Sequence, residues 1–187
     1  RDADVAIVGG GYTGLWAAYY LKALQPDLRV VVLEQRFAGF GASGRNGGWL
    51  TNSVTGGRTR YGAQGGAAMQ RALNETVDEV IAVAAREGID ADIVKGGELG
   101  VARSAPQLAR LRAFAEAEAQ WPHTDVEVLD AAATAERIRI AGAVGGLWHP
   151  HCARIHPAKL VRGLAETVER LGVTIHEGTR VREIVPG

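Results

Sequence analysis

The chain has 187 residues, 47% of them hydrophobic and 22% charged, and its 21 basic residues balance its 21 acidic residues. This composition is typical of a globular protein and excludes a disordered chain. A formal charge of zero gives no electrostatic basis for binding nucleic acid or an anionic membrane surface. We therefore expect no nucleic-acid partner, and the composition leaves the oligomeric state open.

Cysteine content and apolar runs bear on location. Cys152 is the single cysteine, which excludes an internal disulfide and favours a reducing compartment. No apolar run approaches the ~20 residues of a membrane-spanning helix, and the chain opens with Arg-Asp-Ala-Asp rather than with a basic and then apolar leader. These features predict an unexported cytoplasmic chain without a membrane span.

Glycine is the unusual component. The chain has 25 glycines in 187 residues, about twice the usual share of ~7%, and 14 of them lie in the first 66 residues. They fall in tight groups at 9–14, 39–48 and 56–66, between apolar runs. Because glycine permits sharp turns and close approach of the backbone to another group, the grouping predicts a ligand cradle.

The first 34 residues predict a βαβ unit. Residues 4–8 and 29–34 are short apolar runs typical of buried strands, and residues 12–24 have the apolar spacing of a helix that Pro26 stops. A right-handed crossover makes the two strands parallel.

Further along, residues 35–62 have no strong periodicity, and we expect no regular structure there. Residues 67–87 predict a long helix that Gly88 ends, and a helix beginning at Pro157 is ended by Gly172. Further predicted elements are strands over 98–103, 126–129, 144–149, 173–176 and 180–185 and a helix over 105–120.

The pattern predicts an α/β fold, in which a Rossmann-like domain with a parallel sheet is interrupted by an α+β domain with a mixed or antiparallel sheet. The predicted limits are 1–91 and 153–187 for the first domain, which is discontinuous and incomplete, and 92–152 for the first part of the second.

The motif Gly9-Gly10-Gly11-Tyr12-Thr13-Gly14 contains G-x-G-x-x-G between a predicted strand and a predicted helix. In this context Gly9 makes the tight turn, Gly11 lets a pyrophosphate approach the backbone, and Gly14 lets the helix pack on the strand. The N–H groups at the helix N-terminus then face the phosphates.

Glu34 lies 20 residues after Gly14, at the end of the second predicted strand. This fold places a carboxylate there to accept hydrogen bonds from a ribose diol. A negative charge at that point repels a 2′-phosphate, so the residue disfavours NADP.

A second glycine-rich loop, Gly41-Ala-Ser-Gly-Arg-Asn-Gly-Gly48, follows within ten residues of Glu34. With GGGYTG at 9–14, VVLE at 31–34 and the segment at 153–181, this loop resembles the FAD-dependent oxidoreductases of the D-amino-acid oxidase and glycine oxidase superfamily, especially the branch that resembles gamma-glutamylputrescine oxidase. Members of that family are about twice this length. The resemblance implies that the chain corresponds to the N-terminal part, with catalytic residues beyond residue 187.

By resemblance, the glycines of the first loop contact the FAD pyrophosphate, Glu34 binds the adenosine ribose, the second loop lines the phosphates and ring system, and the backbone of Val181 meets the adenine. No histidine occurs between Gln35 and Tyr61 to attach the flavin covalently, so noncovalent FAD is expected. The predicted cofactor-binding residues are Gly9, Gly11, Tyr12, Thr13, Gly14, Glu34, Gln35, Arg36, Ala42, Ser43, Arg45, Asn46, Gly47, Gly48, Trp49 and Val181.

The grouping of His149, His151, Cys152 and His156 offers the ligand types of a metal site. Pro150 and Pro157 interrupt the segment, and no carboxylate or second cluster completes a coordination shell. We therefore predict no metal.

The resemblance implies an oxidoreductase that oxidises the C–N bond of an amine or amino acid to an imine, with reduction of the flavin and oxygen as the acceptor. Two alternatives remain at this point: an NAD-linked dehydrogenase and a non-catalytic nucleotide-binding module. The sequence identifies neither the substrate nor a catalytic residue.

Overall fold

The computed structural model describes residues 2–185, so Arg1, Pro186 and Gly187, and with them the ends of the predicted ranges 1–91 and 153–187, lie outside the described residues. The helices and strands follow in the order β1 (Val5–Val8), α1 (Tyr12–Leu24), β2 (Val30–Leu33), β3 (Trp49–Thr51), α2 (Gly62–Arg86), β4 (Val94–Lys95), β5 (Glu98–Ala102), α3 (Ala105–Glu118), β6 (Glu127–Leu129), α4 (Ala131–Arg137), β7 (Gly145–His149), β8 (Cys152–Arg154), α5 (Pro157–Arg170) and β9 (Thr174–His176).

The described chain forms two compact units. The first contains residues 2–48, 81–93 and 155–185, and the second contains 49–80 and 94–154. Helix α2 therefore contributes its C-terminal end to the first unit and the rest to the second. The predicted limits differ from this division chiefly at 49–80, which they place in the first domain.

The first unit is built on a parallel sheet with the strand order β1-β2-β9. Val5 to Val8 pair in register with Val30 to Leu33, and β2 pairs in turn with β9. The predicted βαβ unit is thereby confirmed, and α1 has the predicted limits. Because the strands are parallel, their carboxyl ends meet at one edge of the sheet.

The core of the first unit lies between this sheet and helices α1 and α5. Helix α1 buries Leu15, Ala18, Tyr19 and Lys22, at the spacing of one helical face. Helix α5 begins with Pro157 at its first turn and buries Leu160, Val161, Leu164, Ala165, Thr167 and Val168. This packing fixes the N-terminus of α1 beside the strand ends.

The second unit contains two small antiparallel sheets, with strand orders β3-β8-β4 and β5-β7-β6. On the second sheet Glu98 pairs with His149 and Gly100 with Leu147. The α/β class with a parallel and an antiparallel part is confirmed.

Three details of the predicted secondary structure are wrong. Residues 35–62 contain strand β3 and two short 3₁₀ helices, Ala42–Gly44 and Arg58–Tyr61. The long helix begins at Gly62 rather than at residue 67. The segment 180–185 is not a strand, because its alternating pattern finds no strand to pair with among the described residues.

Three short elements, β4, α4 and β8, lie outside the predictions. Elements of two, three and seven residues contain too few positions for a periodic pattern to emerge. Of the helices in residues 2–185, none combines the length and apolar character needed to cross a membrane.

Candidate cofactor-binding site

The candidate site lies at the carboxyl edge of the parallel sheet, where the glycine loop follows β1. Gly9 N–H donates to the carbonyl oxygen of Leu33 at 2.9 Å, and Glu34 N–H donates to the carbonyl oxygen of His176 at 3.0 Å. These bonds extend the strand pairing by one residue on each side and place Gly9 and Glu34 next to each other.

The Glu34 carboxylate is held by the backbone from two directions. Its Oε2 accepts a hydrogen bond from Gly10 N–H at 2.8 Å, and its Oε1 accepts one from Arg36 N–H at 2.8 Å. The side chain is half-buried. Each oxygen keeps a further lone pair, so the carboxylate is fixed in place and still able to accept hydrogen bonds from a diol.

The three motif glycines differ in what they permit. Gly9 has φ +104°, a conformation that L side chains rarely adopt. A Cβ on Gly14 would lie 2.1 Å from the carbonyl oxygen of Gly9 and 3.1 Å from Ile7 Cγ2, so Gly14 lets the helix approach the strand. A Cβ on Gly11 would lie 2.9 Å from Ser43 Oγ, where the two glycine-rich loops meet.

Ser43 connects the second loop to the N-terminus of α1. Its Oγ accepts a hydrogen bond from Tyr12 N–H at 2.9 Å, while Gly11, at the N-cap position, has no capping side chain. The N–H groups of Thr13 and Gly14 have no hydrogen-bond partner within residues 2–185. These free donors at the positive end of a helix suit an anion such as a phosphate.

The second loop is held by its own side chains. Asn46 Nδ2 donates to the carbonyl oxygens of Ala42 and Ser43 at 3.3 and 3.0 Å, and Asn46 Oδ1 accepts from Gly48 N–H at 2.8 Å. Gly48 has φ +74°, and a Cβ there would lie 2.2 Å from the carbonyl oxygen of Ile155. The loop therefore has a defined conformation rather than a flexible one.

Two arginines flank Phe40 at the mouth of the site. The guanidinium carbon of Arg45 lies 4.1 Å from the centre of the Phe40 ring, and that of Arg36 lies 5.7 Å away. Both side chains are exposed, and neither forms an ion pair among the described residues. Stacking on the ring positions both charges without neutralising them.

A cavity of about 470 Å³ lies within this arrangement. It is lined by six of the predicted residues, Gly11, Glu34, Gln35, Arg36, Ala42 and Ser43, and by Gly39, Phe40 and Gly41. The fold thus brings residues from the first loop, the end of β2 and the second loop around one space, of a size typical of small-molecule sites.

The Tyr12 side chain is held by a hydrogen bond to the first residue of α5. Its hydroxyl donates to the carbonyl oxygen of Pro157 at 2.9 Å, and burial, partly offset by Asn46, raises the pKa of Tyr12 to about 12. The phenol therefore stays protonated at neutral pH and acts as a link between α1 and α5.

Ten of the predicted residues are not among those that line the cavity, and Gly47, Trp49 and Val181 are three of them. Gly47 is exposed in the second loop, and Val181 is half-buried in the irregular segment after β9. Trp49 belongs to the second unit, where its Nε1 donates to Glu98 Oε2 at 3.2 Å. None of these three residues is among those that line the cavity.

Sequence reasoning missed Gly10 and Gly39. Gly10 N–H supports Glu34, and Gly39 N–H donates to the carbonyl oxygen of Gly10 at 2.9 Å. Gly39 has φ +80°, and a Cβ there would lie 2.3 Å from Val161 Cγ1. Its place in the glycine group at 39–48 was the available signal.

The histidine and cysteine segment makes separate contacts. His151 Nε2 lies 2.6 Å from Asp125 Oδ2, whereas His156 Nδ1 accepts from Lys159 N–H at 3.3 Å and caps α5. Within the described part of the chain, no three histidine, cysteine or carboxylate side chains are grouped as a metal site would need.

A parallel βαβ unit with a glycine loop, a fixed carboxylate at the end of the second strand and free N–H groups at a helix N-terminus defines a dinucleotide-binding protein. A model of the DAO family, described as FAD dependent oxidoreductase, matches residues 4–187. The chain therefore belongs to this family, and the assignment agrees with the flavin prediction rather than with the NAD-linked alternative.

Several curated relatives match almost the whole chain, among them the following two. Gamma-glutamylputrescine oxidoreductase of Escherichia coli (strain K12) is 35% identical over 185 residues, which are 97% of this chain and 43% of the relative. A probable oxidoreductase, OrdL, of Rhizobium meliloti (strain 1021) is 32% identical over 98% of this chain and 44% of its own length. The chain thus spans less than half the length of these relatives.

Among solved structures, glycine oxidase from Bacillus cereus ATCC 14579 superposes with a TM-score of 0.77 at 20% identity. The match covers 100% of this chain and 49% of that one. At this identity the likeness is one of fold.

Proposed function

We propose that the first unit binds the ADP portion of a noncovalent FAD, and that the whole protein oxidises the C–N bond of an amine or amino acid. The observation that carries the proposal is the Glu34 carboxylate, fixed by the Gly10 and Arg36 N–H groups beside the α1 N-terminus. A carboxylate at this point suits the adenosine ribose, and the free N–H groups of Thr13 and Gly14 suit the pyrophosphate.

The second loop completes this assignment. Ser43 joins it to the start of α1, and Arg36 and Arg45 supply positive charge near the phosphates. Gly47, Gly48 and Trp49 follow in sequence toward the flavin ring, and Val181 is assigned to the adenine. Gln35 and Ala42 line the cavity and are assigned to its adenosine end.

Bound FAD would supply the two-electron acceptor for oxidation of the C–N bond to an imine, with oxygen as the final acceptor. The residues of this chain hold and orient the cofactor, and no catalytic residue is assigned among them. The names of the relatives support an amine or amino-acid substrate, since they include an oxidoreductase of gamma-glutamylputrescine and a glycine oxidase.

The test is the cofactor and its reduction. The purified protein is expected to show flavin absorbance, to release FAD into the supernatant when denatured with acid, and to lose its absorbance anaerobically when an amine or amino acid is added. Return of the absorbance with formation of hydrogen peroxide on admitting air would support oxygen as acceptor. Nicotinamide in the supernatant, or flavin that stays with the precipitate, would contradict the proposal.

The domain roles are part of the same proposal. Cofactor binding is assigned to the predicted ranges 1–91 and 153–187, and the range 92–152 is assigned to the beginning of a substrate-binding domain. The predicted cytoplasmic location likewise stays a prediction.

A further inference from the structure

The second unit contains a cavity that the cofactor site does not use. It has a volume of about 320 Å³ and lies between α3, the sheet of β5, β7 and β6, and the segment after β3. Its lining includes Leu111 and Phe114 of α3, Leu147 of β7, and the paired residues Glu98 and His149, which lie two positions along the strands from Gly100 and Leu147. The lining therefore combines apolar side chains with polar ones, as in small-molecule sites.

The positive charge in the cavity wall is already neutralised. Arg58 is the only arginine or lysine among the described lining residues, and it forms a two-pronged pair with Glu118 at 2.7 and 2.8 Å. Its Nε donates to Gln70 Oε1 at 2.6 Å. Since the Arg58 and Glu118 side chains are only 16% and 13% exposed, this pair is a fixed part of the wall and leaves no cation free for a ligand carboxylate.

Glu98 is the carboxylate of the cavity lining that is not paired with Arg58. Its recorded contacts are both at Oε2, from Trp49 Nε1 at 3.2 Å and His149 Nε2 at 3.4 Å, and its Oε1 has no hydrogen-bond partner in the described chain. No arginine or lysine side chain is recorded in contact with the Glu98 carboxylate within residues 2–185.

We propose that this cavity binds an aliphatic ammonium ion, with the charged nitrogen at Glu98 and the alkyl chain against Leu111, Phe114 and Leu147. The site selects amines without a carboxylate, because its single guanidinium is occupied by Glu118. The proposal concerns binding in the second unit and stands whether or not the bound amine is the molecule that the flavin oxidises.

Calorimetric titration of the purified protein with n-butylammonium tests the site. We expect binding that tightens about fourfold for each methylene from methylammonium to butylammonium, because each buried methylene contributes about 0.8 kcal/mol. Butyrate, with the opposite charge, and n-butanol, with none, are expected to bind at least about tenfold more weakly. Equal affinity for butanol and butylammonium, or no measurable heat with butylammonium, would overturn the proposal.

Glu98→Gln removes the charge but keeps an oxygen for Trp49 Nε1, and should weaken butylammonium binding by about tenfold or more. The matched control is Glu127→Gln, which makes the same change on β6. Glu127 pairs with Trp148 in the sheet and does not line the cavity, so its variant should bind as the unchanged protein does. Equal losses in both variants would reject Glu98 as the binding group.

Gly100→Ala gives an independent test of the apolar part. Its Cβ would lie 3.8 Å from Leu111 Cδ2 and 3.9 Å from the carbonyl oxygen of Leu147, which is ordinary contact, so the variant should fold. It should weaken butylammonium severalfold and leave methylammonium unchanged; an unchanged butylammonium affinity would contradict the placement of the chain. Flavin content, read from absorbance, should be the same in all variants, which separates this proposal from that of the cofactor site.

Discussion

The Glu34 carboxylate accepts a hydrogen bond from Gly10 N–H at 2.8 Å across 24 residues of sequence. The bond links the end of β2 to the glycine loop after β1, so the residue assigned to the ribose also fixes the loop assigned to the pyrophosphate. One side chain therefore couples the two parts of the cradle.

Glu34→Gln should disturb both parts. The amide oxygen can replace only one carboxylate oxygen, and its NH₂ group would face either Gly10 N–H or Arg36 N–H, donor against donor. We expect a loss of about 1–3 kcal/mol in unfolding free energy and FAD binding about tenfold weaker. Denaturant unfolding and titration of the apoprotein with FAD measure the two effects.

Glu75→Gln is the control for this change. Glu75 lies 3.8 Å from Arg71 in an exposed pair on α2, and its replacement should shift neither measurement by more than about 0.5 kcal/mol. If Glu34→Gln behaves like this control, Glu34 neither supports the loop nor binds the cofactor.

Gly39→Ala should be strongly destabilising because φ is +80° and the new Cβ would lie 2.3 Å from Val161 Cγ1. The left-handed backbone costs about 1–2 kcal/mol and the overpacking about 1–3 kcal/mol more. Gly178→Ala is the matched control, since Gly178 has φ +66° with nothing within 4 Å of a Cβ, and only the backbone part applies.

A double-mutant cycle isolates the packing part. Val161→Ala removes the two γ-methyl groups that a Cβ on Gly39 would meet most closely. The unfolding free energy of the double variant should therefore exceed the value expected from adding the two single losses by about 1 kcal/mol or more. Additive losses in thermal or denaturant unfolding would show that the steric contact with Val161 is not the cause.

Local signals explain what the sequence predicts of the fold. Helix α1 has its predicted limits because the glycine loop precedes it and Pro26 follows it closely, and β1 and β2 are apolar runs with polar ends. The predicted start of α2, at residue 67, is too late because Gly62, Gly65 and Gly66 are poor helix formers, although the helix includes them. Close packing accounts for one of them, because a Cβ on Gly66 would lie 2.7 Å from Trp121 Cζ3.

The candidate site is predictable in its residue types but not in its contacts. The G-x-G-x-x-G spacing and the acid 20 residues later identify a dinucleotide cradle. The sequence does not indicate that Ser43 Oγ accepts from Tyr12 N–H, 31 residues away, because such a bond depends on how two loops pack. The strand prediction for 180–185 is wrong for a related reason, because a strand needs a partner strand that its own residues do not specify.

Tyr12→Phe should change stability in a pH-dependent way. The variant loses the hydrogen bond to the Pro157 carbonyl, which at neutral pH contributes about 1 kcal/mol. Burial raises the pKa of Tyr12 from 10.0 to about 12, so the folded state keeps the proton after the unfolded state has lost it. The stabilisation is fully present below pH 10 and is lost as the pH rises toward 12.

Urea unfolding of both proteins at pH 7, 9 and 11 tests this dependence. The stability advantage of wild type over Tyr12→Phe should diminish between pH 9 and pH 11. A difference for Tyr12→Phe that does not change between pH 7 and 11 would contradict the burial of its hydroxyl.

The last prediction concerns the half-buried pair between Arg58 and Glu118. Glu118→Gln keeps the shape of the side chain but leaves the Arg58 guanidinium, 16% exposed, without a counter-charge. An uncompensated buried charge costs about 3–5 kcal/mol, so the variant should unfold at markedly lower denaturant concentration. Glu75→Gln, in which the pair with Arg71 is 63% and 70% exposed, should again cost no more than about 0.5 kcal/mol. Both substitutions remove one carboxylate that is paired with arginine, so their difference measures the greater burial and the closer, bidentate contact of the Arg58 pair. Equal losses would mean that Arg58 reaches solvent when its partner is removed.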